Sequence, residues 1–216
     1  PVRIHGIAAT EDLNIGKIIG NDILGPVSLR TGMRAELSKP ANFKIDSLFV
    51  DRLRFNGYDY TGLMAAGSLS GNMFNGRIVA SDPNLNAWLQ GGFAISSKTN
   101  NARYQFYANV SDADLNALNI DKRGRSKIRF STNANFTKIG NGNLLGNIDI
   151  ADIIFTNRDS TTNIGNINLT SHSSDDIYKM RLRSQFADGN FTGTAPIIQF
   201  ARDLISLTAS KELPAL

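Results

Sequence analysis

The strongest constraint in this chain is a period of two that recurs along it, interrupted every few residues by Asn or Gly. In the segment 27–37, Val27, Leu29, Met33, Ala35 and Leu37 alternate with Ser28, Arg30, Arg34 and Glu36. In 125–136, Ile128, Phe130, Thr132, Ala134 and Phe136 alternate with Arg125, Lys127, Arg129 and Ser131. Such alternation puts one set of side chains on each face of a β-strand. The interruptions are turn chemistry: Asn56-Gly57, Gly71-Asn72 and Asp82-Pro83-Asn84. With 23 Asn and 19 Gly in 216 residues, segments between turns are too short for long helices and suit strands.

Further strands are expected at 43–55, 63–70, 73–81, 85–96, 103–110, 144–155, 164–171, 177–186 and 190–194. A change of phase near Leu48-Phe49 predicts a bulge in the first of these. Short helices are expected near 12–20, from the spacing of Leu13, Ile15, Ile18 and Ile19, and at 112–119, with Asp112 as N-cap. A third is expected over 197–211, opened by Pro196. Two β-repeat units emerge, 1–110 and 111–216, the second with the closing helix. Asp12-Leu13-Asn14 matches Asp114-Leu115-Asn116, and the strand ending at Phe55 matches that ending at Phe155. The two units are expected to form one continuous β-structure.

The composition narrows the chemistry. The absence of cysteine excludes disulfide scaffolds and thiolate sites, and His5 and His172, far apart in sequence, have no ligand spacing. No metal, no cofactor and no catalytic residue is expected. The acidic pairs Asp112/Asp114, Asp149/Asp152 and Asp175/Asp176 read as caps and turns, with Asp175-Asp176 as a hairpin turn. No Gly-rich segment has a phosphate-loop lysine. A net charge of +4 is too weak to suggest nucleic acid. No segment approaches 18 consecutive apolar residues.

Consecutive strands with short loops give an antiparallel meander, and its apolar face must be covered, folded on itself or filled with apolar cargo. Trp88 is the one candidate for a large aromatic at the centre of a closed core.

The segment GSLSGNMFNGRIVASDPNLNAWLQGGFAIS (67–96) is similar to the TamB and AsmA-like proteins of outer-membrane bacteria. The shared features are Gly67-Ser68-Leu69-Ser70-Gly71, Phe74-Asn75-Gly76-Arg77-Ile78 and the turn Asp82-Pro83-Asn84-Leu85. The pieces 13–37 and 113–130 resemble the family's Ala-Asp-Leu-x-x-Leu linker and following strand, and KELPAL (211–216) fits its style. The resemblance implies a mainly β chain, an antiparallel meander curled into an open, taco-like trough. It implies a periplasmic segment of a longer protein anchored in the inner membrane, with the anchor outside this chain. A start at Pro1 without Met agrees with that expectation. The implied function is non-enzymatic: transport of phospholipid to the outer membrane and support of outer-membrane protein assembly, in which TamB partners an Omp85-type barrel.

On this reading the phospholipid acyl chains are expected against Leu29, Met33, Ala35, Leu37, Ile128, Phe130, Ala134, Phe136, Met180 and Leu182. Each buried CH2 would contribute about 0.8 kcal/mol without a fixed binding point, so lipids could slide. The basic run Arg123, Arg125, Lys127 and Arg129 is expected on one strand face, where it could meet anionic head groups or simply be solvated. An unpaired strand edge would invite dimers of the chain. The alternative is a structural or adhesive module of tandem β-sandwiches in a cell-surface protein, with two closed cores and a boundary near residue 110. An outer-membrane barrel is disfavoured, because aromatic residues are not clustered at strand ends and Arg and Lys alternate with the apolar set.

Overall fold

A computed structural model describes residues 2–37, 42–96, 101–139, 143–158, 160–174 and 177–194. Strand β1 (Val2–Asn14) leads through the short helix α1 (Ile15–Ile19) into β2 (Leu24–Leu37) and β3 (Asn42–Phe55). Then follow β4 (Tyr58–Tyr60), β5 (Leu63–Ser70), β6 (Met73–Asp82), β7 (Leu85–Ser96) and β8 (Asn101–Asp114). The sequence closes with β9 (Ser126–Ile139), β10 (Asn143–Asn157), β11 (Thr161–Ser174), β12 (Ile177–Ser184) and β13 (Asp188–Gly193). Among the described residues these thirteen strands form one antiparallel sheet in chain order, with β4 pairing only with β3. The sheet is open: it is a mainly β meander, not a closed barrel.

The strand path is unbroken through residue 110, which lies within β8 between β7 and β9. The described residues therefore do not form two separately closed sandwiches.

The register carries the alternation from strand to strand. Directly opposed residues share a face, so one row runs Ala35, Phe43, Leu69, Phe74, Phe93, Tyr104, Phe136. The parallel row on the other face runs Asn75, Gly92, Gln105, Asn135, Asn147, Thr170, Arg181. One face is predominantly apolar; the other is mostly polar but carries an apolar row through Phe49, Met64, Val79 and Trp88. The bulge expected near Leu48 is present as a register shift between Ile45 and Leu48.

Three helix expectations fare differently. Near 12–20 only Ile15–Ile19 is helical, and the preceding residues are strand β1, where Leu13 pairs with Val27. Ladder hydrogen bonds to β2 outcompete a helix whose period is carried by only four apolar residues. The segment 112–119 is a turn, not a helix, because β8 continues to Asp114. Asp114, not Asp112, accepts from the Ala117 N–H (3.0 Å), while Asp112 pairs with Lys127 (3.1 Å). Asn119, at φ +59°, turns the chain away after that single turn. The span 197–211 and the pair Asp175-Asp176 lie outside the described residues.

The two halves share one local device. A bulge between Thr10 and Leu13 is followed by Asn14, which caps the Lys17 N–H. A bulge between Val110 and Ala113 is followed by Asp114, which caps Ala117. The structural match is therefore Asn14 with Asp114, rather than Asp12-Leu13-Asn14 with Asp114-Leu115-Asn116.

Candidate functional site

Burial separates the faces more sharply than polarity does. Val27, Thr31, Ala80, Asp82, Ala102, Ala113, Ser126, Ala134, Ile153, Ser171 and Met180 are buried, and by register all lie on the apolar face. Ala134, near the middle of β9, is 1% exposed. No described helix or second sheet lies over this face, so the sheet's own curvature and its larger neighbouring side chains cover these residues. The cover is incomplete, since Ile78 on the same face remains 36% exposed. The result is an apolar concavity crossing twelve paired strands, about 50 Å at a typical strand spacing.

The concavity is lined by aromatic pairs. Phe74 stacks on Phe93 (centroids 4.9 Å apart), Tyr104 stacks on Phe136 (4.8 Å), and Phe106 meets Phe136 edge-on at 6.5 Å. Glycines make room for the Phe74 ring: a Cβ at Gly67 or Gly76 would meet its Cζ at 2.8 or 2.6 Å. Sequence reading missed this aromatic row, although each member sits at an apolar position of its own alternation. Only the register between strands places them side by side.

Of the residues expected in the groove, Leu29, Met33, Ala35, Ile128, Phe130, Ala134, Phe136, Met180 and Leu182 all fall on the concave face. Leu37 ends β2, and its side chain lies outside those described. Trp88 does not occupy a core. It lies on the polar face, opposite Val79 and Asn109, with its ring 5.2 Å from Tyr107. Its neighbours in β7 already carried this parity, because Leu85, Ala87 and Leu89 form the inward set.

The basic run divides. Arg123 and Arg125 precede β9, and only Lys127 and Arg129 lie in it, so the four do not share a strand face. Arg123 is held by Asp121 through its backbone N–H (3.0 Å) and guanidinium (2.9 Å). This contact, together with the Ser126 hydroxyl, holds the Asp121 carboxyl far below its ordinary range. Lys127 pairs with Asp112, whereas Arg125 and Arg129 are exposed. His5 and His172 are exposed strand residues. Among the described residues no cluster of His, Asp and Glu could hold a metal.

One rim of the concavity is tied together by polar groups. Asp82 accepts hydrogen bonds from the Tyr58 hydroxyl (2.6 Å), Thr61 N–H (2.8 Å) and hydroxyl (3.1 Å), and Asn84 N–H (2.9 Å). Burial works against its charge, but these bonds outweigh it and the carboxyl titrates below its usual value. Burial and the facing Asp82 push the Tyr58 hydroxyl up. Tyr58 packs edge-on against Tyr60 at 4.8 Å. Beside this hub the β3–β4 turn reaches the β8–β9 turn, through Asn56 and Asn119. Leu118, a residue of the second turn, is 1% exposed.

Comparison with protein-family models, curated proteins and solved structures finds no match for this chain.

Proposed function

We propose that this chain is a lipid-carrying segment of a periplasmic bridge protein of the TamB and AsmA-like kind, in which acyl chains travel against the concave face. The observation that carries the reading is that the buried strand side chains all lie on one apolar face, with no second layer over it among the described residues. Water in contact with so large an apolar face is unfavourable, and acyl chains relieve this at about 25 cal/mol per Å2 covered. The face offers aliphatic and aromatic surface with few directional groups, which suits cargo that slides. Polar side chains on the opposite face keep the outside wetted. Of the basic run, Arg125 and Arg129 are exposed and would meet anionic head groups. In the full-length protein the segment would lie between an inner-membrane anchor and the outer membrane, supplying lipid while an Omp85-type barrel is the partner in assembly.

The test is native mass spectrometry with lipid extraction on the chain purified without detergent. Phospholipid should co-purify, and Phe130→Asp on the concave face should abolish it while Asn133→Asp on the polar face leaves it in place. Circular dichroism checks that both variants fold. A lipid-free mass with no uptake of added phospholipid, or equal loss in both folded variants, would overturn the proposal.

A further inference from the structure

The polar face carries a recess that the lipid reading does not use. It opens over β7 and β8, has a volume of about 660 Å3, and includes Gly91 and Gly92 in its lining, with the Asn75 carboxamide lying against Gly92. Trp88 and Tyr107 form one wall, their rings inclined at 38°, and the Arg77 guanidinium lies 5.2 Å from the Trp88 ring centroid. Arg103 stands on the opposite side. Between these walls are the amides of Asn75, Gln90 and Gln105. The lining contains no carboxylate.

We propose that this recess is a carbohydrate-binding site for a short oligosaccharide carrying an acidic substituent. Tyr107 is 42% exposed beside Trp88, so the two rings present an accessible aromatic wall to the recess. The negative face of an aromatic ring attracts the weakly positive C–H face of a pyranose. Sugar hydroxyls both donate and accept, and each carboxamide offers an acceptor oxygen and two N–H donors. An acyl chain would leave those amides unsatisfied, and a bare anion would have no use for the aromatic wall. Arg103 is the one cation among the lining residues, and its planar guanidinium matches a carboxylate in bidentate fashion. A Cβ at Gly92 would push the Asn75 carboxamide out of its place in the recess and meet the Phe74 carbonyl at 2.8 Å. The volume lies within the range of about 300–1,000 Å3 usual for small-ligand sites. The recess lies on the face opposite the groove, so it stands or falls independently of lipid carriage.

Trp88 is the only tryptophan in the chain, so its fluorescence reads occupancy of the recess directly. The 216-residue chain is titrated with a neutral N-acetylglucosamine tetrasaccharide and with a tetrasaccharide alternating glucuronate and N-acetylglucosamine. Both should give saturable changes, with the acidic sugar binding about 10-fold tighter through its charge-assisted contact. Arg103→Gln should remove that preference and keep the neutral sugar bound. By calorimetry, Gln90→Ala with Gln105→Ala should weaken both sugars about 10-fold or more, with an unchanged circular dichroism spectrum. No saturable fluorescence change and no binding heat up to about 10 mM of either sugar would overturn the proposal. So would an equal response to acetate, which would mean an anion site without sugar recognition.

Discussion

Asn56 and Asn119 clasp one another across 63 positions of sequence: each side-chain amide donates to the other's backbone carbonyl, at 3.0 and 3.2 Å. Both residues adopt the left-handed conformation, at φ +50° and +59°, which Asn tolerates better than other non-glycine residues. The strands they terminate, β3 and β8, are four spacings apart in the sheet, about 19 Å if it were flat. Asn119 lies five residues beyond the end of β8, so the turn that follows this strand crosses the intervening hairpins to reach Asn56. The clasp therefore ties together two turns whose strands are not neighbours in the sheet.

Asn119→Ala removes one donor, strains the left-handed turn and leaves the Asn56 carbonyl without this partner. The expected loss is about 1–2 kcal/mol in urea denaturation. Hydrogen exchange should quicken at both turns, 55–58 and 115–121, although only one is mutated; an effect confined to the mutated turn would mean the clasp does not couple them.

The Asp82 hub predicts an acid limb in stability. A carboxyl held below its unfolded value of about 3.9 stabilises the fold above that pH, and the contribution is lost as pH falls through the lower folded value. Asp121, also held low, acts in the same direction. Melting temperature should fall between about pH 4 and pH 2, and Asp82→Asn should flatten that fall. Asp82→Ala leaves the donors of Tyr58, Thr61 and Asn84 without their acceptor and should cost about 2–4 kcal/mol at neutral pH.

Gly76→Val tests the packing inside the concavity. A Cβ at this position meets the Phe74 ring at 2.6 Å and collides with the Ala66 carbonyl. A loss of about 1–3 kcal/mol is expected from overpacking, with displacement of the Phe74 ring read from the aromatic NMR signals. Gly6→Val, with open space around its Cβ, serves as the control and should change stability far less.

Arg125→Gln with Arg129→Gln should weaken sedimentation with anionic vesicles about 10–30-fold, at about 1 kcal/mol for each cation near the surface. Stability should stay within about 0.5 kcal/mol, because both side chains are exposed. Arg123→Gln should affect vesicles less, since its charge already faces Asp121. Equal effects from all three positions would point to non-specific charge attraction.

The legible part of the structure was local. Leu29, Met33 and Ala35, and likewise Phe130, Ala134 and Phe136, were assigned to one face because a strand's side-chain period is two whatever its neighbours do. Asn56-Gly57 announced its turn because both residues tolerate positive φ, here +50° and +79°. Strand β1 was missed because Leu13, Ile15, Ile18 and Ile19 fit a helical period, and only pairing with β2 reveals the competitor. Asp112 and Asp114 are equally plausible caps in sequence, and the bulge between Val110 and Ala113 chose between them. Trp88 went astray for a different reason: aromatic size suggested a core, whereas the parity of its own strand pointed outward.

The sequence by itself determined an amphipathic antiparallel meander, because alternation and turn chemistry act over a few residues and need no partner. Tertiary structure alone decided that Phe74, Phe93, Tyr104 and Phe136 line up across the sheet, and that Asn56 reaches Asn119. Those outcomes depend on interstrand register and accumulated curvature. Each bulge changes them for every strand beyond it, and no local pattern records the sum.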